Sequence, residues 1–310
     1  MRKLLLAVTA GTLCASAFAQ VKKQENKSSW TKGGLISINI AQGGSKNWTA
    51  GAEQFALLVN SYANLYANKQ WGKNKWSNNL EVNYGVINTT SQGVRKNDDR
   101  LNLVSKYTRQ MKQKSLACGL LFDFRSQFAD TYDYNYAPKK RISGWFAPAY
   151  ITFAPGVEWK PCKAFSIYGS LTAPRWVLFT NRSYSYQNQG GIKPEGGVET
   201  PLSAQYGVDP VQQVDPQFGA YFSAHINKQI MKNVSYRSRF DIYFNYLDNY
   251  PMNGKIYWTN MFMMHVNKWL KVTYNIDMIY DDKIKMFGPD KASTRTQYRS
   301  MLGVGLTTKL

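Results

Sequence analysis

The chain has 310 residues, of which 44% are hydrophobic and 15% aromatic, and it carries a formal net charge of +20 with a mean hydropathy of −0.44. That apolar content is too high for a disordered tail, and no internal run reaches the roughly 18 apolar residues that a spanning helix needs. A basic balance can signal nucleic-acid binding, but no helix with clustered Lys and Arg is present, so nucleic acid is excluded as a partner.

Residues 1–19 read as a secretory signal. Arg2 and Lys3 form the charged start, residues 4–17 the apolar stretch, and Ala17-Phe18-Ala19 the small-x-small cleavage site. Cys14 follows Leu13, where lipobox processing needs a small residue, which argues against lipidation. Removing this segment takes two cations and no acid, lowering +20 to +18. Cys118 and Cys162 remain, with neither a disulfide framework nor a zinc spacing, so an exported chain must draw its stability from elsewhere, such as closed backbone hydrogen bonding. Residues 20–33 read as a polar lead-in.

From residue 34 onward the dominant signal is alternation with period two. Over residues 76–86, Trp76, Leu80, Val82, Tyr84 and Val86 share one face, while Ser77, Asn79, Glu81, Asn83 and Gly85 share the other. The same division recurs around Leu120-Phe122-Phe124, Phe240-Ile242-Phe244 and Tyr274-Ile276-Met278. Segments of about ten residues, the length a tilted strand needs to cross a bilayer, begin near Gly34, Gln54, Lys75, Asp99, Ser115, Phe146, Phe165, Gln217, Val234, Lys255, Leu270 and Thr296. Residues 34–310 are therefore predicted to form a single all-β domain, an antiparallel transmembrane β-barrel of about 12 strands.

The connections alternate in length. Short turns fall at residues 69–74, 111–114, 160–164, 229–233 and 268–269; longer loops fall at 42–53, 89–98, 129–143, 180–216, 247–254 and 282–295. Short periplasmic turns opposite long external loops are the pattern of a bacterial outer-membrane barrel, exported and then inserted by the barrel-assembly machinery. Amphipathic rings favour the headgroup level, and they sort accordingly. Trp76, Tyr107, Trp159 and Trp269 lie beside short turns, whereas Trp48, Trp145, Trp176 and Trp258 lie beside long loops. Residues 187–216 are rich in Gly, Pro and Gln and read as part of one long external loop.

Several pieces together resemble a Bacteroidota outer-membrane β-barrel family catalogued only as a domain of unknown function. They are Trp30-Thr31-Lys32-Gly33-Gly34, Asn47-Trp48-Thr49-Ala50-Gly51-Ala52, Ala147-Pro148-Ala149-Tyr150, Leu171-Thr172-Ala173-Pro174 and Gly303-Val304-Gly305-Leu306. Leu310 departs from that pattern, since an aromatic last residue is commoner. The resemblance implies fold and location and carries no activity.

With the apolar face toward lipid, the polar face lines a lumen. Its basic candidates are Arg100, Lys106, Arg125, Arg237, Arg239, Lys271 and Arg299; its acidic ones are Glu81, Asp123, Asp241 and Asp277. A cationic excess in a narrow wet lumen favours anions, which points to a narrow passive channel for small anionic solutes. Two other readings stay open: a closed barrel, salt-bridged inside, that serves as a structural, surface-binding or assembly element, and a lipid-acting enzyme. For the enzyme, only His225 and His265 could serve as base, both on the lumenal face and without a Ser/His/carboxylate spacing. The pairs Asp98-Asp99, Asp130 with Asp133, and Asp281-Asp282 lack the order of a calcium loop and read as solvated loop tips. No motif calls for a cofactor or metal. Outer-membrane lipid and lipopolysaccharide are the expected partners, the phosphates meeting loop cations such as Lys139, Lys140 and Arg141.

Overall fold

A computed structural model describes residues 29–45, 53–134, 140–180, 192, 196–197, 201–209, 211–267, 269–285, 287 and 293–309. The signal segment, Trp48, Lys139 and Leu310 lie outside the described residues. Twelve strands form one ring: β1 (Ser29–Gly44), β2 (Phe55–Trp71), β3 (Asn74–Thr89), β4 (Gly93–Gln110), β5 (Leu116–Ser126), β8 (Ala149–Cys162), β9 (Phe165–Leu178), β10 (Val214–Met231), β11 (Val234–Asn245), β12 (Lys255–His265), β13 (Leu270–Tyr280) and β14 (Gln297–Lys309). Between β5 and β8 a small hairpin, β6 (Thr131–Asp133) with β7 (Lys140–Ser143), stands outside the ring. Every neighbour in the ring is antiparallel, and β14 pairs with β1 to close it. Each described strand backbone thereby finds its partners without water, as a barrel in hydrocarbon requires.

The alternation read from the sequence sets the two faces. Ile36, Ile38 and Ile40 on β1 and Leu302, Val304 and Leu306 on β14 are exposed on the outer wall, while Ser37, Asn60, Asn64, Asn102 and Thr152 are buried within. An exterior of that kind suits lipid and would be an aggregation surface in water. Trp30 and Trp76 pack at 5.8 Å and Trp71 and Tyr107 at 5.9 Å beside the short turns, with Lys69 over both Trp30 and Trp71. Trp159 and Trp269 are exposed at the same end. At the opposite end Trp145 meets Phe146, Trp176 meets Phe153 and Trp258 meets Phe240.

Three differences from the sequence reading have physical causes. β1 starts at Ser29, so the lead-in expected over 20–33 ends earlier, because residues 29–34 pair with residues 65–70 of β2. The loop expected at 89–98 is a tight turn: β3 runs to Thr89 and β4 begins at Gly93, whose φ of +67° suits glycine. Strands of 16 to 18 residues extend past the ~30 Å hydrocarbon core, so this hairpin rises above the membrane, and its polar residues look like loop when judged by membrane alternation. Asp98 and Asp99, read as solvated tips, are instead buried. Asp99 accepts from Lys96 Nζ at 2.7 Å and from the Ala129 N–H at 2.8 Å, pinning the loop after β5.

Two prolines inside strands, Pro155 and Pro174, sit at breaks in the ladder. Pro155 falls within the register shift between Thr152 and Val157, and Pro174 follows the bulge at Leu171-Thr172 opposite Gly219 and Tyr221. At the long-loop end, part of the 180–216 segment folds inward. Leu202, Val208 and Phe179 are fully buried with Ala147 and Val177, Tyr206 packs on Phe179 at 5.5 Å, and Gln205 accepts the Lys285 N–H at 2.9 Å.

The closing seam is short, with Leu35 to Asn39 of β1 against Lys309 to Gly305 of β14. A Cβ on Gly305 would lie 2.0 Å from the Ile38 carbonyl oxygen and 2.5 Å from Asn39 Oδ1. Replacing Gly305 with Val is expected to prevent closure. The folded species that migrates anomalously until boiled on a detergent gel should be lost, and a Gly43→Val control, with open space at that Cβ, should keep it.

Candidate functional site

The lumen is crossed toward its long-loop end by two squares of charge, whose members include Arg125, Asp277 and Arg299 within three residues of the loop ends of their strands. In the first, Arg125 of β5 donates to Asp123 at 2.7 Å through Nε and reaches Asp241 of β11 through Nη2, while Arg239 of β11 pairs with Asp241 at 2.8 Å and reaches back to Asp123. β5 and β11 are four strands apart in the ring, so the contacts span the interior. In the second, Arg299 of β14 holds Asp98 of β4 and Asp277 of β13, both at 2.6 Å, and Arg100 of β4 lies 3.2 Å from Asp277 and 3.7 Å from Asp98. Tyr257 of β12, directly opposite β4 in the ring, joins the squares: its hydroxyl accepts from Arg100 at 3.1 Å, and its ring carries the Arg125 guanidinium at 4.3 Å.

Four arginines and four aspartates leave this waist electrically neutral. Asp123, Asp241 and Asp277 each have more than one donor, whereas Asp98 is held by Arg299 with Arg100 at ion-pair distance; Asp241 also accepts from Tyr221 at 2.9 Å and from Ser223 at 2.6 Å. Charges withdrawn from water are tolerable only when matched and hydrogen-bonded in this way. The planar, fork-shaped guanidinium can bridge two carboxylates at once, which a lysine ammonium cannot do with the same geometry.

The waist separates two chambers. The one toward the short turns measures about 620 Å³ and is lined by Lys75, Lys106, Lys160, Lys163 and Arg237, with Glu81 and Glu158 as acids. Lys106 bonds Glu158 at 2.5 Å, and Glu81 accepts from Tyr62 and Asn64, each at 3.3 Å. The chamber toward the long loops measures about 280 Å³. Its floor is the waist, and its roof includes Tyr206, Asp281 and Ile284. Asp248 anchors that roof, taking Lys255 at 2.8 Å and Lys283 at 2.9 Å, and Lys283 also reaches Asp215 at 3.1 Å.

The eleven lumenal candidates divide three ways. Arg100, Asp123, Arg125, Arg239, Asp241, Asp277 and Arg299 build the waist; Glu81, Lys106 and Arg237 line the short-turn chamber; Lys271 is buried in the wall on the same face of β13 as Asp277. Sequence reasoning missed Asp98, Glu158 and Tyr257 as partners and Lys75 and Lys160 as lining residues. Asp98 falls in a stretch that reads as loop, and the others lie near strand ends or are uncharged. With Asp98 and Glu158 counted, the expected cationic excess contracts to the short-turn chamber.

Ser223 Oγ and His225 Nε2 lie 2.9 Å apart, the spacing of a nucleophile and its base. Their polarity is opposite to that role. The single hydroxyl proton of Ser223 goes to the Asp241 carboxylate, which can only accept, so His225 must donate Nε2–H to Ser223 and cannot take its proton. Ser223 is also 1% exposed. His265 lies at the short-turn end with Nδ1 3.4 Å from the Asn233 carbonyl.

Residues 40–132 match a family described as "Protein of unknown function (DUF3078)". No curated protein matches the chain. Among solved structures the chain is similar to an outer membrane channel from Pseudomonas putida F1 (7% identity, 94% of this chain and 100% of that chain, TM-score 0.39). It is similar also to the NanC porin (10% identity, 89% and 100%, TM-score 0.37) and to outer membrane phospholipase A from Escherichia coli (7% identity, 96% and 98%, TM-score 0.34).

The waist and the roof each carry a measurable expectation. Arg239→Met leaves two buried aspartates sharing one arginine and should cost roughly 3–5 kcal/mol in denaturant unfolding of the refolded barrel. Arg239→Met with Asp241→Leu keeps the Arg125–Asp123 pair matched and should recover most of that loss; a double variant as unstable as the summed singles would contradict a charge-matched waist. At the roof, burial pushes the Asp248 carboxyl up, but hydrogen bonds from Lys255 and Lys283 outweigh it and hold the group below its ordinary range. Burial lowers Lys283, and Asp248 and Asp215 more than offset it, so its ammonium is held above its ordinary range. The depressed acid stabilises the roof above about pH 4 and fails as the pH falls; the raised base stabilises it below about pH 10 and fails as the pH rises. Amide protection of residues 281–285 should therefore be highest between those limits and drop on either side.

Proposed function

We propose that the chain is an integral outer-membrane β-barrel acting as a narrow channel for small anionic solutes, shut at rest by its waist. The observation that carries the reading is the short-turn chamber, where five cations face two acids and Lys75, Lys160, Lys163 and Arg237 have no carboxylate within ion-pair range among the described residues. Such a chamber concentrates anions from the periplasmic side, since charged walls of low dielectric focus the field into the cleft. The lipid-type exterior, the even strand count and the location of short turns at one end support the membrane setting.

A second reading has its own observation. The waist is neutral and the described part of the 180–216 segment folds inward, which suits a closed barrel whose loops bind a surface or partner. Arg141 lies in such a loop, 3.6 Å from Asp130, and with its neighbours is suited to lipopolysaccharide phosphates.

Single-channel recording in a planar bilayer under a salt gradient distinguishes the two. The wild-type barrel is expected to show long closed periods, rare small steps and an anion-selective reversal potential. Arg239→Met with Asp241→Leu should open more often, and Lys75→Glu with Arg237→Glu should move the reversal potential toward cations. Heat-modifiable, folded barrels of both wild type and the waist variant that pass no current would retire the channel and leave the closed barrel.

A further inference from the structure

The long-loop chamber contains four cations, and three of them are matched. Arg100 meets Asp98 and Asp277, Arg125 meets Asp123 and Asp241, and Lys255 meets Asp248. The fourth, Arg175 of β9, has no carboxylate within ion-pair range among the described residues. Its guanidinium is instead clamped between two rings, 4.8 Å from the Tyr150 centroid and 5.0 Å from that of Tyr243. Tyr243 is itself fixed, donating its hydroxyl to the Ala173 carbonyl at 3.0 Å. Both contacts are with ring faces, so among the described residues no carboxylate occupies the guanidinium N–H groups, which are what an incoming carboxylate engages in a two-point bond.

The surroundings suit the rest of such a ligand. The 280 Å³ chamber is lined by Tyr150, Tyr206, Tyr243, Tyr257, Ile279 and Ile284 beside its charged floor, so aromatic and apolar side chains are available for the body of a ligand, and its volume admits one small molecule. One acid at the roof, Asp281, has no ion-pair partner among the described residues. Burial raises its carboxyl above the ordinary range, against the opposing pull of Arg175 and Lys255.

We propose that this chamber is a binding site for a small organic carboxylate with a compact apolar or aromatic body, the carboxylate held by Arg175 and the body by the tyrosine and isoleucine walls. The site does not depend on the channel reading, because a barrel that never conducts would still bind the ligand.

Isothermal titration of the refolded barrel in detergent with benzoate, benzyl alcohol and benzylamine at matched ionic strength tests it. Benzoate should bind saturably, one per barrel, at least tenfold more tightly than the neutral or the cationic analogue. Arg175→Met should weaken benzoate at least tenfold while the barrel remains heat-modifiable. Lys75→Glu with Arg237→Glu, which alters only the other chamber, should leave it unchanged. No saturable binding up to about 10 mM benzoate, equal affinity for the three probes, full binding by Arg175→Met, or loss in the Lys75 and Arg237 variant would each overturn the proposal. Should Arg175→Met fail to fold, the ranking of the three probes on the wild type decides the question: benzoate first upholds the site, and any other order overturns it.

Discussion

Hydrocarbon offers no hydrogen bonds, so a strand that crosses it must find a partner for each N–H and C=O on both edges. Twelve antiparallel strands meet this demand only when β14 returns to β1, and that closure fixes most of the remaining architecture. Once the ring is closed, alternate side chains have no choice of surroundings: one set faces lipid and must be apolar, while the other faces an enclosed space. The glycines on β14 belong to the same constraint. At Gly305 the neighbouring strand passes too close for a Cβ, so the shortest pairing in the ring rests on a residue without one.

Enclosure then dictates the chemistry of the interior. An eight-stranded barrel can be filled by side chains, whereas a sixteen-stranded one leaves a water channel. With twelve strands, only long side chains meet across the middle, and arginine is the longest one that can also satisfy two acceptors. The result is a crosspiece of eight matched charges and two tyrosines, with space left above and below. Each square takes its members from strands that are remote in the ring, so the crosspiece also ties opposite walls together. A hydrophobic plug of equal volume could fill the same space, but it could not exchange partners with a charged solute.

Much of this was legible in the sequence, for a definite reason. Period-two alternation is forced by the closed wall, so it marks residues such as Leu80, Phe122 and Ile276 without knowledge of any partner, and it gives the strand count and the inward set directly. What it cannot give is which inward residues meet. Arg125 and Asp241 are 116 positions apart, and Arg100 and Tyr257 are 157 apart; their contacts depend on strand stagger and barrel radius, neither of which is local. Asp98 illustrates the other limit. It belongs to a strand that continues beyond the bilayer, where the outer face can be polar, so the alternation fades and the residue reads as loop. Arg175 is missed because the bulge at Leu171-Thr172 shifts the parity of β9, and alternation carried on from Tyr168 and Ser170 puts it on the outer wall.

The distribution of charge along the axis matters more than its total. The seven basic and four acidic residues read from the sequence suggest a uniformly cationic wall, yet the waist is neutral and, among the described residues that line the chambers, the cations without an ion pair lie at either side of it: Lys75, Lys160, Lys163 and Arg237 toward the short turns, Arg175 toward the loops. On the channel reading this order has a consequence. An anion leaving the basic chamber meets arginines already occupied by aspartates, and its carboxylate or phosphate can take an aspartate's place on a guanidinium, one anion exchanged for another at nearly constant local charge. A cation would have to displace an arginine from two carboxylates, stranding a guanidinium in a space with little water. Selectivity then comes from the exchange chemistry of the waist as well as from the field of the vestibule, and Arg175 is the first unoccupied guanidinium on the far side.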